Sequence, residues 1–576
     1  DKSLNDIIKF HLDEKNYQAR IGKSQNELEV RFATRNIKKI SKIDFDNVIK
    51  KLKSLNYNCN NELGLHILKI QNEFEDPKTG EIKLSNIRTE INGISNIQEY
   101  CRLNSIQKII EKNPYKTVVN FVSKMYAKDG SNKPIYPIKN NDFNLKISYQ
   151  TEIQIQNNSK IANKIIEKWS DSKKSFRYMN RITFVHPEFP VKIDLSVTKS
   201  SSIGEDYKPI LAYNFEDSNI LTNPEIYEIE IEVLNNQVGP NTLFNDVDKL
   251  ERILKKCITH VLSGLQGTNY PITYPEQRDT QEEYLKLIGR DVSKLIGKNG
   301  KLKIKTNDFC GPSSFTLQMK NIQPINENDN TPNIRNYYTV TDKADGERKL
   351  MFISKNGKIY LINTNMEIQF TGIKAKDKEQ YNSLLDGEHI LHDKFGNYIN
   401  LYAAFDIYFI KGNSVRELSF VPLDETEDKA KYRLPLLISY INKLDFKEGK
   451  GIKIINKEFM MDLQGDNIFG CCKQILEKVE KDLYVYNTDG LIFTPIENGV
   501  GGNKKGKASD NRKVTWDYSF KWKPPEFNTI DFLVTTKKSE NNDDFIGNIF
   551  VDGNDLTNEN KIKPVSYTHL TLPTKW

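Results

Sequence analysis

The sequence has few of the residues that build disulfide frameworks or zinc sites. Its 576 residues include six cysteines and seven histidines. No two cysteines form a C-x-x-C pair, and the histidines lack the spacing of zinc ligands. A disulfide-stabilised secreted domain and a structural zinc module are therefore excluded, and a cytoplasmic location in a reducing compartment is expected.

Long hydrophobic runs and a strong excess of one charge are also missing. No apolar stretch approaches the ~20 residues that cross a bilayer, so we expect no membrane partner. The 84 basic and 77 acidic residues leave a net charge of +7, which permits a nucleic-acid partner without requiring one. The 37% of hydrophobic residues is typical of a folded protein, and the length predicts two or three domains.

Alternation of polar and apolar residues dominates the first part of the chain and predicts strands at 27–32, 192–197 and 228–233. Helical spacing occurs at residues 43–55, 161–169, 245–265, 433–444 and 467–479. Glycine and proline in 267–275 predict a linker, and the Gly/Lys/Asn-rich stretch 497–511 predicts an exposed loop.

The last residues differ in composition from the rest of the chain. Residues 530–535 read as the start of a new strand, whereas 565–576 lack the Lys/Asn/Ile bias upstream and resemble a translated cloning adapter. We therefore expect a non-native tail at 565–576 and a natural protein that is longer.

A lysine between two strand-like runs stands at the centre of the second half. The motif Lys343-Ala344-Asp345-Gly346-Glu347-Arg348 is preceded by a β-rich run and followed by another, and Gly346 permits a tight turn. A lysine attacks phosphorus only as a neutral amine, which requires burial or neighbouring cations such as Arg348. Taken alone, the motif fits a solvated charged turn equally well.

Four further motifs follow the lysine in a fixed order: Leu385-Asp386-Gly387-Glu388, Phe405-Asp406-Ile407-Tyr408, Thr488-Asp489-Gly490-Leu491-Ile492-Phe493 and Phe520-Lys521-Trp522-Lys523. With the lysine motif they resemble the covalent nucleotidyltransferase superfamily, which includes mRNA guanylyltransferases and ATP- or NAD-dependent ligases. The resemblance spans about residues 339–523. It implies a nucleotidyltransferase fold followed by an OB-fold, whose first strand would be 530–534. The family's final basic motif is not found before the tail.

The resemblance also implies a role for each motif residue. Lys343 would attack the α-phosphate of GTP, expel pyrophosphate and hold GMP as a phosphoramidate, while Asp489 would bind Mg²⁺ or Mn²⁺. The metal and the lysines would neutralise charge on the α-phosphate and the leaving group. The implied nucleotide-binding residues are Asp345, Gly346, Arg348, Glu388, Phe405, Lys521 and Lys523.

Two rows of glutamate form a second group of candidate site residues, separate from the lysine motif and its companions. Glu27 and Glu29 alternate with aliphatic residues, as do Glu228, Glu230 and Glu232. Residues i, i+2 and i+4 of a strand share one face, so each row presents adjacent carboxylates that repel unless cations neutralise them. Two such rows facing each other would form an oxygen-rich site for Mg²⁺ or Mn²⁺, whereas one row alone is more often a solvated sheet edge.

Basic residues accompany the glutamates on further strand-like runs, and the pattern over about 26–233 resembles the triphosphate tunnel metalloenzyme family, which includes RNA triphosphatases. The resemblance implies that the five glutamates bind metal and that Glu152 orients the attacking water. Met179 departs from the pattern, because a basic residue is expected there; Arg177 is the expected substitute. The implied catalytic and phosphate-handling residues are Arg88, Arg177, Arg181, Lys192 and Asp194.

The two constellations together predict an α+β multidomain protein. We expect an antiparallel β tunnel at 1–270, a nucleotidyltransferase fold at 276–526 and a partial OB-fold at 527–564. This order resembles capping enzymes of large cytoplasmic DNA viruses of the mimivirus and African swine fever virus kind. It implies 5′-triphosphate RNA and GTP as partners, a location in the host cytoplasm, and a guanine-N7 methyltransferase domain or subunit downstream.

Three alternatives stay open from the sequence. An ATP-dependent RNA or DNA ligase would use the same lysine to carry AMP, and only the glutamate rows argue against it. A polyphosphate- or nucleotide-processing tunnel enzyme fused to an inactive transferase would not need the complete lysine site. A non-catalytic RNA-binding module would explain the charge of +7 but not the positioned lysines and acids.

Overall fold

The computed structural model describes residues 3–13, 24–33, 37–59, 61–76, 79–205, 207–297, 300–326, 328, 330–424, 426–445, 451–462 and 468–527, with short pieces at 537–538, 544–545, 550–551 and 554–555. The chain divides into two compact units, 1–280 with 369–371, and 281–368 with 372–576. The expected OB-fold strand at 530–534 and the tail at 565–576 lie outside the described residues.

The first unit is built on eleven strands. They are β1 (Ser24–Phe32), β2 (Asn58–Cys59), β3 (Leu65–Glu75), β4 (Ile82–Leu84), β5 (Ile87–Asn92), β6 (Val119–Tyr126), β7 (Ile138–Asn140), β8 (Leu145–Ile155), β9 (Lys174–His186), β10 (Phe189–Ser200) and β11 (Ile226–Val233). Its α-helices are Leu4–Leu12, Lys42–Ser54, Ile94–Leu103, Ile106–Lys112, Lys160–Glu167 and Val247–Gln266. The helix Tyr274–Leu287 begins in this unit and ends in the next.

Eight of these strands close into an antiparallel barrel. The order is β9, β10, β11, β1, β8, β6, β5 and β3, and β3 pairs with β9 to complete the ring. Closure satisfies the hydrogen-bonding edges that an open sheet would expose. The barrel confirms the predicted N-terminal antiparallel β tunnel, and β1, β10 and β11 contain the three strands that period-two alternation predicted.

The apolar side chains of the barrel point outwards. Leu28, Leu195 and Ile231 are buried beneath the helices Lys42–Ser54 and Val247–Gln266, in one core cluster with Val48 and Leu254. A second cluster buries Leu68, Ile91 and Phe121 beneath the helices Ile94–Leu103 and Ile106–Lys112. Because successive side chains of a strand alternate between faces, the polar residues are left to line the inside of the barrel.

The described residues of the second unit contain two larger sheets and two two-stranded sheets, which pair Lys537–Lys538 with Asp544–Phe545 and Phe550–Val551 with Asn554–Asp555. The strands of the larger sheets are β12 (Ser313–Thr316), β13 (Tyr338–Ala344), β14 (Glu347–Ile353), β15 (Lys358–Asn363), β16 (Ile368–Lys374), β17 (Ser383–His392), β18 (Tyr398–Ile410), β19 (Asn413–Ser414), β20 (Lys453–Asn456), β21 (Met460–Met461), β22 (Thr488–Pro495) and β23 (Thr515–Trp522). One sheet has the order β12-β23-β22-β13-β21; the other has β16-β15-β14-β17-β18-β19, with β20 beside β18. Its helices are Arg433–Asn442 and Ile468–Glu480.

The chain passes from one sheet to the other at the lysine motif. β13 ends at Ala344 in the first sheet, and β14 begins at Glu347 in the second. Asp345 and Gly346 form the connection, and a Cβ on Gly346 would lie 2.9 Å from the Cγ of Glu388. The motif is therefore the hinge of a cleft between two sheets and not an isolated charged turn.

Candidate active sites

The glutamate rows lie side by side on one wall of the barrel. β1 pairs directly with β11, so that Glu29 is opposite Glu232 and Arg31 is opposite Glu230. Antiparallel pairing makes β1 and β11 immediate neighbours, so the two rows lie next to each other in one sheet. The result is one continuous acidic wall, and all five glutamates belong to it.

Lys124 and Arg31 are two of the cations that pair with this wall. The Nζ of Lys124 on β6 donates to Glu27 at 2.8 Å and also to Glu29. The guanidinium of Arg31 donates twice to Oε1 of Glu230, at 3.1 Å. Burial lowers the pKa of Lys124, but the charges of Glu29 and Glu27 outweigh it and the pKa lies above its usual value.

The other expected barrel residues also point into the lumen. Arg181 donates to Asp194 at 3.2 Å and to Ser196, and Asp194 accepts from Thr183 at 2.6 Å. The remaining ion pairs of predicted residues are Lys192 with Glu232 at 3.0 Å, Arg88 with Glu152 at 3.6 Å, and Arg177 with Glu228. The structure therefore gathers all eleven predicted barrel residues in one interior.

The electrostatics of the acidic wall fit a divalent cation. Burial raises the pKa of Glu232 to about 7, against the opposing effect of Lys192, and neighbouring Glu27 and Glu29 add to the rise. Oε2 of Glu29 is buried without a hydrogen-bond partner, and Arg31 lies 3.7 Å from it. No three acidic, histidine or cysteine side chains of the described residues gather into a metal-ligand cluster. The donor set and the unpartnered oxygen nevertheless suit a hard cation.

Sequence reasoning missed several charged residues of the lumen. Arg31 and Lys124 bind the acidic wall directly, and Lys69 on β3 pairs with Glu90 at 3.0 Å. Each lies in a strand with alternating polar and apolar residues. That alternation predicts which face of the strand a side chain lies on, but not which residue it contacts. Met179 is buried on the inner face of β9 and its register partner is Ile67, so an apolar contact replaces the basic residue expected there.

The second unit contains a cavity of about 390 Å³ at the lysine motif. It is enclosed by residues from both sheets, as expected for a cleft with Lys343 at its hinge. The predicted residues that line it are Lys343, Gly346, Arg348, Glu388, Phe405 and Lys521. Asp345 is exposed, and its backbone N–H donates to the carbonyl of Asn487.

Asp489 holds the two lysines that flank the expected phosphate position. The Nζ of Lys343 donates to Oδ1 at 2.7 Å, and the Nζ of Lys523 lies 2.6 Å from Oδ2. Burial favours the neutral acid, but the hydrogen bonds from Lys343 and Lys523 outweigh it and lower the pKa of Asp489. Gly490 allows this arrangement, since a Cβ there would lie 1.9 Å from the carbonyl of Trp522 on the neighbouring strand.

Arg348 lines the cavity, and hydrogen bonds to Asp386 and Pro312 fix its side chain. Its Nε and Nη2 donate to Asp386 at 3.1 and 2.5 Å, and its Nη1 donates to the carbonyl of Pro312 at 2.6 Å. Its guanidinium also lies 5.5 Å from the ring centre of Phe405. This bidentate pair fixes the cavity wall, so the expected contact of Arg348 with the nucleotide would come from a side chain that is already oriented.

Sequence reasoning missed a second buried lysine in this cavity. Lys457 lines it, and its Nζ lies 3.0 Å from Oδ2 of Asp342, the residue before the nucleophile candidate. Burial raises the pKa of Glu388 to about 7, although the charges of Lys457 and Lys343 oppose the rise. Lys457 lies outside the recognised motifs, and no pattern around it distinguishes it from the many surface lysines.

Comparisons with known proteins agree with the lysine site. Residues 273–525 match the family model of the mRNA capping enzyme catalytic domain. A probable mRNA-capping enzyme of Acanthamoeba polyphaga mimivirus is 27% identical over 401 residues, which cover 63% of this chain and 29% of that protein. The mRNA-capping enzyme of Danio rerio is 27% identical over 242 residues, which cover 40% of this chain and 35% of that protein.

The mimivirus match covers a larger share of the chain than residues 273–525 make up, so it extends beyond the transferase segment. Among solved structures, the mimivirus capping enzyme triphosphatase aligns with 45% of this chain and 96% of its own, at 18% identity and a TM-score of 0.28. The chain spans about a third of the length of these two curated relatives. The match of residues 273–525 to the family model of the mRNA capping enzyme catalytic domain agrees with the resemblance that the order of the five motifs indicated.

Proposed function

We propose that the chain performs the first two steps of mRNA 5′ capping. The barrel removes the γ-phosphate from 5′-triphosphate RNA, and the second unit transfers GMP from GTP to the resulting 5′-diphosphate end. The observation that carries the proposal is the combination, in one chain, of a closed barrel with a charged interior and a capping-type lysine cavity. A ligase has no use for the barrel.

In the barrel, the acidic wall would hold Mg²⁺ or Mn²⁺ through Glu27, Glu29, Glu230 and Glu232. A divalent cation there supplies charge neutralisation for the triphosphate. The arginines and lysines of the remaining wall bind the γ-phosphate oxygens, since guanidinium groups match phosphate geometry. Glu152, which Arg88 holds at 3.6 Å, accepts the proton of the attacking water. The P–O bond to the γ-phosphate breaks, and the β-phosphate leaves as the new RNA end.

In the second unit, the Nζ of Lys343 attacks the α-phosphorus of GTP. A P–N bond forms, the bond to the bridging oxygen breaks and pyrophosphate leaves. Asp489 lies 2.7 Å from the attacking nitrogen and would bind the divalent cation. Positive charge close to Lys343 favours release of its proton to solvent and leaves the neutral, nucleophilic amine. Lys523, paired with the same carboxylate, and Lys521, on the cavity wall, offset the negative charge that develops. The 5′-diphosphate RNA then attacks the phosphorus, and the P–N bond breaks.

The experiment that tests the proposal separates the two reactions. Full-length protein is incubated with γ-labelled triphosphate RNA and, separately, with α-labelled GTP, in Mg²⁺ or Mn²⁺. Lys343→Ala is expected to lose covalent label and to retain phosphate release. Glu230→Ala is expected to lose phosphate release and to retain covalent label. Loss of both activities in either folded variant contradicts two independent sites.

A further inference from the structure

A strongly basic loop lies between β22 and β23. The loop comprises residues 497–513 and includes the stretch 497–511 that the sequence predicts as exposed; the proposed chemistry leaves it unused. Its exposed cations are Lys504, Lys505, Lys507, Arg512 and Lys513. Lys505 has an ion pair, with Glu497 at 3.6 Å, and both partners are substantially exposed. No ion pair is found for the other four among the described residues, so the loop presents a concentrated positive charge.

The loop is fixed in place and does not merely project into solvent. Buried Arg416 donates to the carbonyl of Ser509 at 3.1 Å and to the side chain of Asn511. Buried Arg433 donates to the carbonyl of Asn498 at 3.1 Å. Isolated β-bridges join Asn498 to Lys505 and Lys504 to Lys507. These bonds hold the backbone at Lys504, Lys505 and Lys507 in defined positions. They therefore reduce the loss of loop entropy that binding a ligand would cause.

The same anchors connect the loop to the wall of the nucleotide cavity. The indole Nε1 of Trp516 donates to the carbonyl of Gly502 at 2.7 Å, and Trp516 itself lines the cavity. The Arg416 guanidinium lies 5.6 Å from the ring centre of Tyr408, another lining residue. The basic loop is therefore anchored to residues that line the cavity of Lys343.

We propose that residues 503–513 bind the sugar-phosphate backbone of the acceptor RNA behind its 5′-diphosphate end. The inference rests on the proposed function and adds the RNA-docking surface. Lysine and arginine that lack protein partners bind phosphates by releasing counterions, and they do so without reading sequence. Several cations on one rigid loop match successive phosphates of a single strand. The loop holds the RNA while its terminal phosphate reaches the lysyl-GMP adduct.

The test compares two triple variants of the full chain with equal charge change. The loop variant reverses the charge of three loop lysines, by Lys504→Glu, Lys505→Glu and Lys507→Glu. The control variant reverses the charge of three exposed lysines elsewhere in the same unit, by Lys378→Glu, Lys473→Glu and Lys481→Glu. Binding of a ~20-nucleotide 5′-diphosphate RNA is measured against salt concentration. Each lost phosphate contact lowers the slope of log K against log[salt] by ~0.7, so the loop variant is expected to lose ~2 in slope.

GMP transfer from the preformed adduct is measured in parallel. The loop variant is expected to need at least ~10-fold more RNA for half-maximal transfer, while its adduct yield from GTP stays within about twofold of the parent. Equal effects of the two triple variants, or an unchanged salt slope, overturn the inference. An unchanged RNA slope with lost binding of an acidic peptide assigns the loop to a protein partner and also overturns it. Failure of the parent protein to form any adduct contradicts the proposed function, whereas the RNA-binding slopes still decide the role of the loop.

Discussion

Replacing Arg348 by methionine should destabilise the second unit by about 3–5 kcal/mol, the cost of breaking a buried ion pair by removing one partner. Asp386 is fully buried, and the substitution removes both of its hydrogen bonds from Arg348. The hydroxyl of Tyr408, at 2.5 Å, remains its partner. Methionine fills much of the space between Phe309 and Phe405, so the unpaired carboxylate and not a cavity dominates the loss.

The assay is urea unfolding followed by tryptophan fluorescence in a Trp169→Phe background, in which the remaining tryptophans all belong to the second unit. The matched control is Lys376→Met, which breaks an exposed pair with Asp445 and should cost less than ~1 kcal/mol. Adding Asp386→Asn to Arg348→Met removes the stranded charge and should restore at least half of the loss. A cost for Arg348→Met no larger than that of the control refutes the reasoning.

Three further predictions concern the barrel and a buried histidine. Glu29→Ala should lower phosphate release at least ~100-fold, with Glu225→Ala, at an exposed glutamate just before β11, as the control. Near-normal turnover of Glu29→Ala would mean that the wall is only structural. Lys124→Met removes the hydrogen bonds of Lys124 to Glu27 and Glu29 and leaves excess negative charge on the buried wall. Mn²⁺ should therefore raise the thermal unfolding midpoint of this variant more than that of the parent, and an equal rise would contradict the proposed metal site. Burial, reinforced by the charge of Lys349, lowers the pKa of His389 from 6.5 to about 4. The neutral imidazole of the folded state therefore contributes stability above pH 6.5, and the free energy of unfolding should fall by ~3 kcal/mol as the pH falls from 6.5 through 4. His389→Gln should remove this pH dependence in urea titrations.

The sequence was sufficient to predict the strands and helices that carry both sites. Period-two alternation identified the strands of Glu29, Asp194 and Glu230 because their outer faces are uniformly aliphatic, and that face is what the surrounding helices bury. The order of the five motifs identified the lysine site. Two of these motifs contain a glycine, Gly346 or Gly490, that is required because neighbouring groups approach it closely.

The order of the strands and the ion pairs between distant residues could not be predicted from the sequence. Alternation assigns Lys124 and Arg31 to a face, but their partners depend on which strands become neighbours in the closed barrel. The same limit applies to the glutamate rows, since nothing local to β1 or β11 encodes their pairing. Lys457 reaches Asp342 across more than a hundred residues of chain, and its own neighbourhood resembles a surface strand.

The most direct test of the central claim is covalent labelling of the protein by an α-labelled nucleotide. The protein is incubated with α-labelled GTP or ATP and a divalent metal, and label that survives denaturing electrophoresis is counted. The account predicts label from GTP that is released by acid, as a phosphoramidate should be, and that is absent from Lys343→Ala. Label from ATP and none from GTP would contradict a capping enzyme and establish a ligase-type transferase.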